Sequence, residues 1–287
     1  MNKIIPLLCL LLLCGCHRHK SDPRPVLTVS IEPLRFVVES IAGDSFAVRT
    51  LMPQGASPET YEPTPRQMVE LDGSVLLFRN GTLGFERTKL AQMAQATPGV
   101  RMVDVAEGIE EIAEGAQGHA HDGETSADPH IWMSPDNLSL MAENVCRALC
   151  AADSLHAPAY EQRLRNFKAR MDEIDGQLRQ RLTPLRQRTF VIYHPALGYF
   201  ARQYGLQQTA IEHDGKEPSA ARLQQLIKSC QASHVRTVLI SKEHTGRAAQ
   251  RVAESLGTKP VEINPLDYDV PQQLLRIAEV LESHDTN

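Results

Sequence analysis

The sequence predicts an α/β fold of two lobes with mainly parallel sheets, bridged by one long helix. Short apolar runs alternate with amphipathic stretches from residue 27 onward, and the same alternation begins again near residue 189. Between the two halves lies a long stretch with a single apolar stripe. Continuous apolar strands separated by helices are typical of parallel sheets covered on both faces. We therefore expect an N-terminal lobe at residues 26–152, a linking helix within 153–185 and a C-terminal lobe at 186–287.

Each half supplies four predicted strands with helices between them. The strands of the first half are LTVSI, VRTLM, SVLLF and RMVDV, with helices near residues 34–42, 66–71 and 85–94. The second half has the strands TFVIY, QTAIE, RTVLIS and KPVEI, alternating with the helical stretches PALGYFARQYG, SAARLQQLIKSC, GRAAQRVAESLG and PQQLLRIAEVLE. This repetition predicts two sheets of similar construction.

The linking helix is predicted from apolar residues that recur every three or four positions. These residues are Tyr160, Leu164, Phe167, Met171, Ile174, Leu178 and Leu182. Pro158 suits a first helical turn and Pro184 ends the helix, which would be about 40 Å long at 1.5 Å per residue. A coiled-coil seam is the alternative interpretation. One stripe between two α/β halves favours a helix packed along both lobes.

The N-terminus has the pattern of a secretory signal. Lys3 precedes an apolar run, Ile4–Leu13, that is too short to cross a bilayer core of about 30 Å. The run ends in Leu-Cys-Gly-Cys, which resembles a lipobox. We expect residues 1–16 to be a lipoprotein signal peptide, Cys16 to become the acylated N-terminus, and residues 17–25 to form a polar tether. A plain signal peptide that contains cysteines is the alternative.

The net charge and the cysteine count argue against some classes of protein. The formal net charge of −5 argues against nucleic acid as a partner. Outside the signal, Cys146, Cys150 and Cys230 remain, and an odd number does not suggest a disulfide framework. Cys146 and Cys150 lie four positions apart and could form a metal pair, although small core residues are the favoured interpretation.

Three residues are candidate ligands of a metal ion. His194 follows the strand TFVIY, and Glu59 follows VRTLM in the loop PQGASPETYEPTP. Ligands of open α/β sheets gather at the carboxyl ends of strands, so both positions favour function. His130 lies between a proline and the apolar pair Ile-Trp, which indicates a rigidly held imidazole. The alternatives are hydrogen-bonded packing for His194 and helix capping for Glu59.

A glycine-broken polar loop, residues 118–124, precedes His130. It carries His119, His121 and Asp122, whose side chains could form a weak, open chelating patch for zinc. We expect an accessory collector of metal; the alternative is a merely solvated loop.

These segments resemble the zinc- and manganese-specific solute-binding proteins of bacterial ABC transporters, the cluster A-I metal-binding lipoproteins, from Leu27 to about Leu281. The motifs that carry the resemblance are GASPETYEPTP, ADPHIWMSP, FVIYHPALGYFARQYGL, DGKEPSAARLQQLI and VEINPLDYD. The resemblance implies that His130 and His194 are ligands. It departs at Glu59, where the family usually has histidine, and at Asn264, where it usually has aspartate. Glutamate preserves a ligand, whereas an amide oxygen is a poor donor to transition metals.

The donor set and the resemblance together imply the cargo. Two imidazoles and one carboxylate suit Zn²⁺, with Mn²⁺ or Fe²⁺ as alternatives, and the histidines of the loop resemble the zinc branch. Glu243 and His244, which follow the strand RTVLIS, could supply a further donor. Since ligands must be unprotonated, metal affinity should weaken as the pH falls through the histidine range.

The resemblance also implies the partner and the place of action. It predicts a monomer on the periplasmic side, held by the lipid on Cys16, that delivers the ion to an ABC transporter permease in the inner membrane. It predicts no enzymatic activity, and the sequence has no HExxH motif on a helix. A zinc-dependent hydrolase and a surface adhesin are the alternative interpretations.

Overall fold

The structure, a computed structural model, describes residues 22–112, 127–212, 216–242 and 246–285. Among these residues no helix is both long enough and apolar enough to cross a membrane.

The N-terminal lobe is built on a parallel sheet of four strands in the order β2-β1-β3-β4. Its elements are β1 (Val26–Val29), α1 (Glu32–Ala42), β2 (Ala47–Thr50), α2 (Pro65–Asp72), β3 (Ser74–Arg79), α3 (Ala91–Ala96), β4 (Arg101–Asp104) and α4 (Pro135–Ala152). Helix α2 begins with a capping box, in which Thr64 and Gln67 bond to each other's backbone N–H groups.

The C-terminal lobe repeats this construction, with a parallel sheet in the order β6-β5-β7-β8. Its elements are β5 (Thr189–Ile192), α6 (Gly198–Tyr204), β6 (Gln207–Ala210), α7 (Ala220–Ala232), β7 (Val238–Ser241), α8 (Arg247–Ser255), β8 (Val261–Ile263) and α9 (Val270–Asp285). The strand order reverses between β5 and β7, and ligands of open α/β sheets bind outside the carboxyl ends of the strands at such a point.

A 26-residue helix, α5 (Ala157–Leu182), joins the lobes and packs against α1 and α4 on one side and α9 on the other. The predicted stripe forms its buried face, in which Tyr160, Phe167, Met171, Ile174, Leu178 and Leu182 are buried. A single apolar core runs from the N-terminal sheet past α5 to α9. The predicted fold, two α/β lobes with a long bridging helix, is confirmed.

One predicted helix has a different form. Residues 85–94 were expected to be one α-helix, but a π-helical turn at Glu86–Leu90 precedes α3. The Glu86 carboxylate is fully buried and accepts hydrogen bonds from the backbone N–H groups of Asn80 (2.8 Å) and Gly81 (2.7 Å). Apolar spacing over so few residues does not distinguish a π turn from an α turn.

The three cysteines among the described residues are free thiols. The Sγ atoms of Cys146 and Cys150 lie 3.9 Å apart on α4. Burial, followed by the neighbouring Cys150, raises the pKa of Cys146 to about 12. Such a thiol is unreactive, which agrees with the interpretation of these cysteines as core residues.

Candidate metal site

The three predicted ligands meet in the cleft between the lobes. Nε2 of His194 lies 3.2 Å from Nε2 of His130 and 3.0 Å from Oε1 of Glu59. The two imidazoles are almost fully buried, with 8% of each side chain exposed, whereas 42% of the Glu59 side chain is exposed. The structure therefore brings together one donor from the C-terminal lobe and two from the N-terminal lobe.

His194 is positioned by the sheet of the C-terminal lobe. It follows β5, and the residue before it, Tyr193, still donates its backbone N–H to Leu239 on the neighbouring strand (2.9 Å). The backbone of Tyr193 also accepts a hydrogen bond from the N–H of Glu212, which follows β6 (3.1 Å). These bonds hold His194 and Glu212 side by side at one edge of the sheet.

His130 is held by the segment that leads into α4. Ser134, the N-cap of α4, accepts a hydrogen bond from the backbone N–H of Asn137 (3.2 Å). Trp132 is fully buried and donates its indole N–H to the carbonyl of Pro265 in the C-terminal lobe (2.7 Å). The Pro129 carbonyl accepts from the Asn80 amide (2.8 Å) at the end of β3. The segment around His130 is thus tied to both lobes.

Each imidazole is oriented by a buried carboxylate. Asp128 Oδ1 lies 2.8 Å from His130 Nδ1, and Glu212 Oε1 lies 2.5 Å from His194 Nδ1. An ionised carboxylate only accepts hydrogen bonds, so the Nδ1 of each imidazole donates to it, which leaves Nε2 as the atom through which each ring can bind a metal ion. Carboxylate–histidine pairs of this kind orient imidazoles for metal binding and increase their basicity.

The spacing of the two imidazole donor atoms fits a transition metal ion, and Glu59 lies beside one of them. Two nitrogen ligands about 2.0–2.1 Å from a tetrahedral zinc ion lie about 3.3 Å from each other. The Nε2 atoms of His130 and His194 are 3.2 Å apart, and Glu59 Oε1 is 3.0 Å from His194 Nε2. One ion can therefore contact both imidazole nitrogen atoms, with the Glu59 carboxylate next to His194 as a further donor.

The cavity at these donors is small and mostly apolar. Its volume is about 60 Å³. Its lining residues are Pro58, Glu59, Leu83, Gly84, Pro129, His130, His194, Ala196, Ser241, Pro265 and Leu266. Pockets for organic ligands usually measure about 300–1,000 Å³, so this cavity suits an ion with a water molecule and excludes a sugar or peptide.

Glu212 is a site residue that sequence reasoning missed. Glu59, His194 and Glu212 each offer a ligand atom within 4.8 Å of the others. The Glu212 carboxylate binds Nδ1, whereas the donor atom of His194 is Nε2 on the other side of the ring. We therefore assign Glu212 to orientation of the imidazole. The signal available in the sequence was a glutamate directly after the strand QTAIE, the same kind of position as that of His194.

Asn264, a possible further ligand, does not line the cavity. Its Oδ1 accepts a hydrogen bond from the backbone N–H of Leu266 (3.2 Å), and its Nδ2 donates to Asp267 (3.1 Å). Asparagine commonly makes such bonds to its own loop. The structure does not bring Asn264 together with the two histidines; the apolar side chains of Pro265 and Leu266 face the cavity at this point.

Six other predicted residues lie outside the described part of the chain. They are Glu243, His244, His119, His121, Asp122 and Cys16. Their roles remain predictions.

A larger, open groove of about 650 Å³ lies between β4 and α4. Arg147 in this groove bonds to Glu107 (3.0 Å) and to Asn144 (2.6 Å). Among the described residues, no histidine or cysteine lines it. This groove does not offer the donors of a transition metal site.

The fold and the site define a class of protein. Two α/β lobes that enclose two convergent imidazoles and a carboxylate, in a cavity of ionic size, are the features of a metal-specific solute-binding protein. Residues 27–275 match the family model of the zinc-uptake complex component A, a periplasmic protein, and the chain belongs to this family. This is a family of transporter solute-binding proteins and not of enzymes.

Individual relatives agree with this assignment. The crystal structure of ZnuA superposes with a TM-score of 0.84 and 32% sequence identity, covering 91% of this chain and 98% of that one. The high-affinity zinc uptake system protein ZnuA of Bacillus subtilis (strain 168) is 25% identical over 275 residues, 90% of this chain and 86% of that protein. The manganese ABC transporter substrate-binding lipoprotein PsaA of Streptococcus anginosus is 25% identical over 274 residues, 88% of this chain and 86% of that protein.

Proposed function

We propose that this chain captures Zn²⁺ with Glu59, His130 and His194 and delivers it to the permease of an ABC transporter. The observation that carries the proposal is the convergence of two imidazole Nε2 atoms, 3.2 Å apart, each with its Nδ1 held by a buried carboxylate. The family membership and the names of its zinc-uptake relatives support the same cargo.

The donor set favours zinc over manganese. Two of the three donors are imidazoles, which suit zinc, and only Glu59 offers the harder oxygen that manganese prefers. Zinc also binds nitrogen and oxygen ligands with a higher intrinsic affinity than manganese does. A water molecule would complete a four-coordinate ion, as in other sites with two histidines and one glutamate.

Delivery requires the ion to leave a buried site. Because His194 belongs to one lobe and His130 and Glu59 to the other, a small separation of the lobes removes one imidazole from the ion. We infer that the transporter releases the metal by moving one lobe relative to the other.

Metal identity is tested by competition. Untagged protein is stripped of metal, equilibrated with equimolar Zn²⁺, Mn²⁺ and Fe²⁺ without oxygen, separated from free ions and analysed for its metals. We expect about one zinc ion per chain and little of the other two. Retention of manganese or iron in preference to zinc would refute the cargo, and no stoichiometric metal would refute the site.

We further propose that the chain is a monomer held on the periplasmic side by a lipid on Cys16. The lipobox-like sequence before Cys16 supports this placement. Cys16→Ser should prevent acylation and release the protein from the membrane fraction, with the unaltered chain as the control. Continued membrane association of the Cys16→Ser variant would refute the lipid anchor.

A further inference from the structure

Helix α6 contacts the N-terminal lobe at both of its ends. Its first residue, Gly198, lies four residues after His194 and packs against Asp128, the carboxylate that orients His130. Near its other end, Gln203 accepts a hydrogen bond from the Ser134 hydroxyl (2.6 Å). The helix that follows one proposed ligand therefore touches the support of the other.

The contact at Gly198 leaves no space for a side chain. A Cβ atom built on Gly198 would lie 2.2 Å from Asp128 Oδ2 and 2.9 Å from Ile112 Cδ1. Optimal separations of nonbonded carbon atoms are about 3.5–4.0 Å, so a methyl group would overlap the carboxylate severely. The backbone of Gly198 is not left-handed, unlike that of Gly205 at the end of the same helix. Space, and not backbone conformation, explains a glycine here.

Helix α6 cannot easily move away to relieve such an overlap. Gln203 Nε2 and the Tyr204 hydroxyl both donate to Asp175 Oδ1 on α5, each at 2.9 Å. Tyr204 is buried, and Asp175 also pairs with Arg179 (2.6 Å). The end of α6 is thus fixed to the bridging helix.

The Asp128 carboxylate is then the group that an added side chain would displace. Oδ1 of this carboxylate holds both Nδ1 (2.8 Å) and the backbone N–H (2.9 Å) of His130. Asp128 is 3% exposed, so a displaced carboxylate has no solvent-filled space to enter. Displacement would release the imidazole from its orientation.

We propose that Gly198 is a positioning residue for metal binding: its lack of a side chain lets the C-terminal lobe hold Asp128, and through it His130, in the metal-binding orientation. This inference rests on the proposed metal site. It means that the orientation of His130 depends on contact with the opposite lobe. Separation of the lobes would therefore remove His194 from the ion. It would also break the contact of Gly198 with Asp128, the carboxylate that orients His130.

The test is a double-mutant cycle in zinc affinity with Gly198→Ala, Asp128→Ala and the two changes combined. Loss of support behind a ligand costs about 10–100-fold in metal affinity, and we expect a loss of this size for each single variant. The combined variant should bind zinc no more weakly than Asp128→Ala, because the methyl group then has no carboxylate to displace. Alanine favours a helix over glycine, so helix propensity cannot explain a loss.

Two further measurements separate positioning from a general effect on the fold. Gly99→Ala is the control, since Gly99 is exposed and a Cβ there meets nothing within 4 Å; its zinc affinity should be unchanged. The ¹⁵N chemical shifts of the imidazole in the metal-free protein report its tautomer. Gly198→Ala should lose the uniform Nδ1–H tautomer of His130.

Unchanged zinc affinity in Gly198→Ala would overturn the inference. It would also be overturned if the combined variant lost as much zinc-binding free energy as the two single variants together. If Gly198→Ala does not fold, the combined variant still decides, because it should then fold and bind zinc like Asp128→Ala. His130→Ala separates failure of the proposed metal site from failure of the role of Gly198. Its normal affinity would refute the proposed site, whereas its loss alongside a normal Gly198→Ala refutes only the role of Gly198.

Discussion

At the scale of single residues, Glu59 differs from the two histidines in exposure and in chemistry. Its side chain is 42% exposed, whereas 8% of each imidazole side chain is exposed, and it lies in a loop 3.5 Å from the Ser57 hydroxyl. Glu59 is therefore the proposed ligand whose replacement should change the metal preference with the least disturbance of the fold.

We predict that Glu59→His keeps or strengthens zinc binding and discriminates more sharply against manganese, because imidazole is the softer donor. Glu59→Ala should weaken the binding of both metals. Titration calorimetry with Zn²⁺ and Mn²⁺ measures both effects. Glu62→Ala is the matched control, since Glu62 lies in the same loop and pairs with Lys89 at the surface (3.2 Å). Equal zinc affinity in Glu59→Ala and Glu62→Ala would remove Glu59 from the site.

Glu86 is the residue whose titration should affect stability near neutral pH. Burial raises its pKa from the ordinary 4.5 to about 7, against the lowering effect of the hydrogen bonds from the backbone N–H groups of Asn80 and Gly81. Between pH 4.5 and about 7 the folded chain keeps this proton and the unfolded chain loses it. The folded state then binds more protons, so its stability falls as the pH rises through this window.

We therefore predict that the free energy of unfolding of the metal-free wild type, relative to Glu86→Gln, falls by as much as about 3 kcal/mol from pH 4.5 to 7. Urea denaturation at a series of pH values measures it. The exposed Glu70 on α2 provides the control, and Glu70→Gln should follow the pH dependence of the wild type. If the unfolding free energies of the wild type and Glu86→Gln changed in parallel with pH, a raised pKa of Glu86 would be contradicted.

The sequence indicates candidate ligands more readily than it indicates the groups that support them. His194 and Glu59 could be predicted because each follows an apolar strand, where parallel sheets place their ligands. Glu212 follows the next strand in the chain, but its contact with His194 depends on β5 and β6 being neighbours. Strand order is not readable from the pattern of one chain. Gly198 could not be recognised for a similar reason, since its neighbour Asp128 comes from the other lobe.

At the scale of elements, α5 was predicted almost to the residue, because its stripe, its first proline and its final proline are local signals. The loop at 118–124 has only composition to characterise it, and it lies outside the described residues. The proposed ligands His130, His194 and Glu59 all lie outside this loop. The expected division of labour is thus a tight site in the cleft and an accessory collector in the loop.

Deletion of residues 118–124 should leave one tightly bound zinc ion per chain. The reason is that the proposed ligands His130, His194 and Glu59 all lie outside the deleted segment, and the two imidazole nitrogen atoms are 3.2 Å apart. Zinc titration of the shortened chain against the full chain measures the stoichiometry and affinity. Loss of stoichiometric binding on deletion would make the loop part of the principal site.

At the scale of the whole molecule, two similar lobes could be predicted because the alternation of strands and helices occurs twice. The continuous core that α5 shares with both lobes could not, since its contacts join residues far apart in the chain. This core limits the relative motion of the lobes. A metal ion held between His130 and His194 would add a further connection across the cleft, and a ligand at about 1,000 times its Kd stabilises the folded state by about 4 kcal/mol.

We propose that one metal ion is bound jointly by His130 and His194, one from each lobe. Zinc titration calorimetry of His130→Ala and His194→Ala tests it most directly, with His156→Ala as the control because His156 is exposed and pairs with Asp153 beside α5. Since loss of support behind a ligand costs about 10–100-fold in affinity, loss of the ligand itself should cost at least as much in both cleft variants, with no change in the control. Wild-type zinc affinity in both His130→Ala and His194→Ala would contradict the joint binding of one ion by the two histidines.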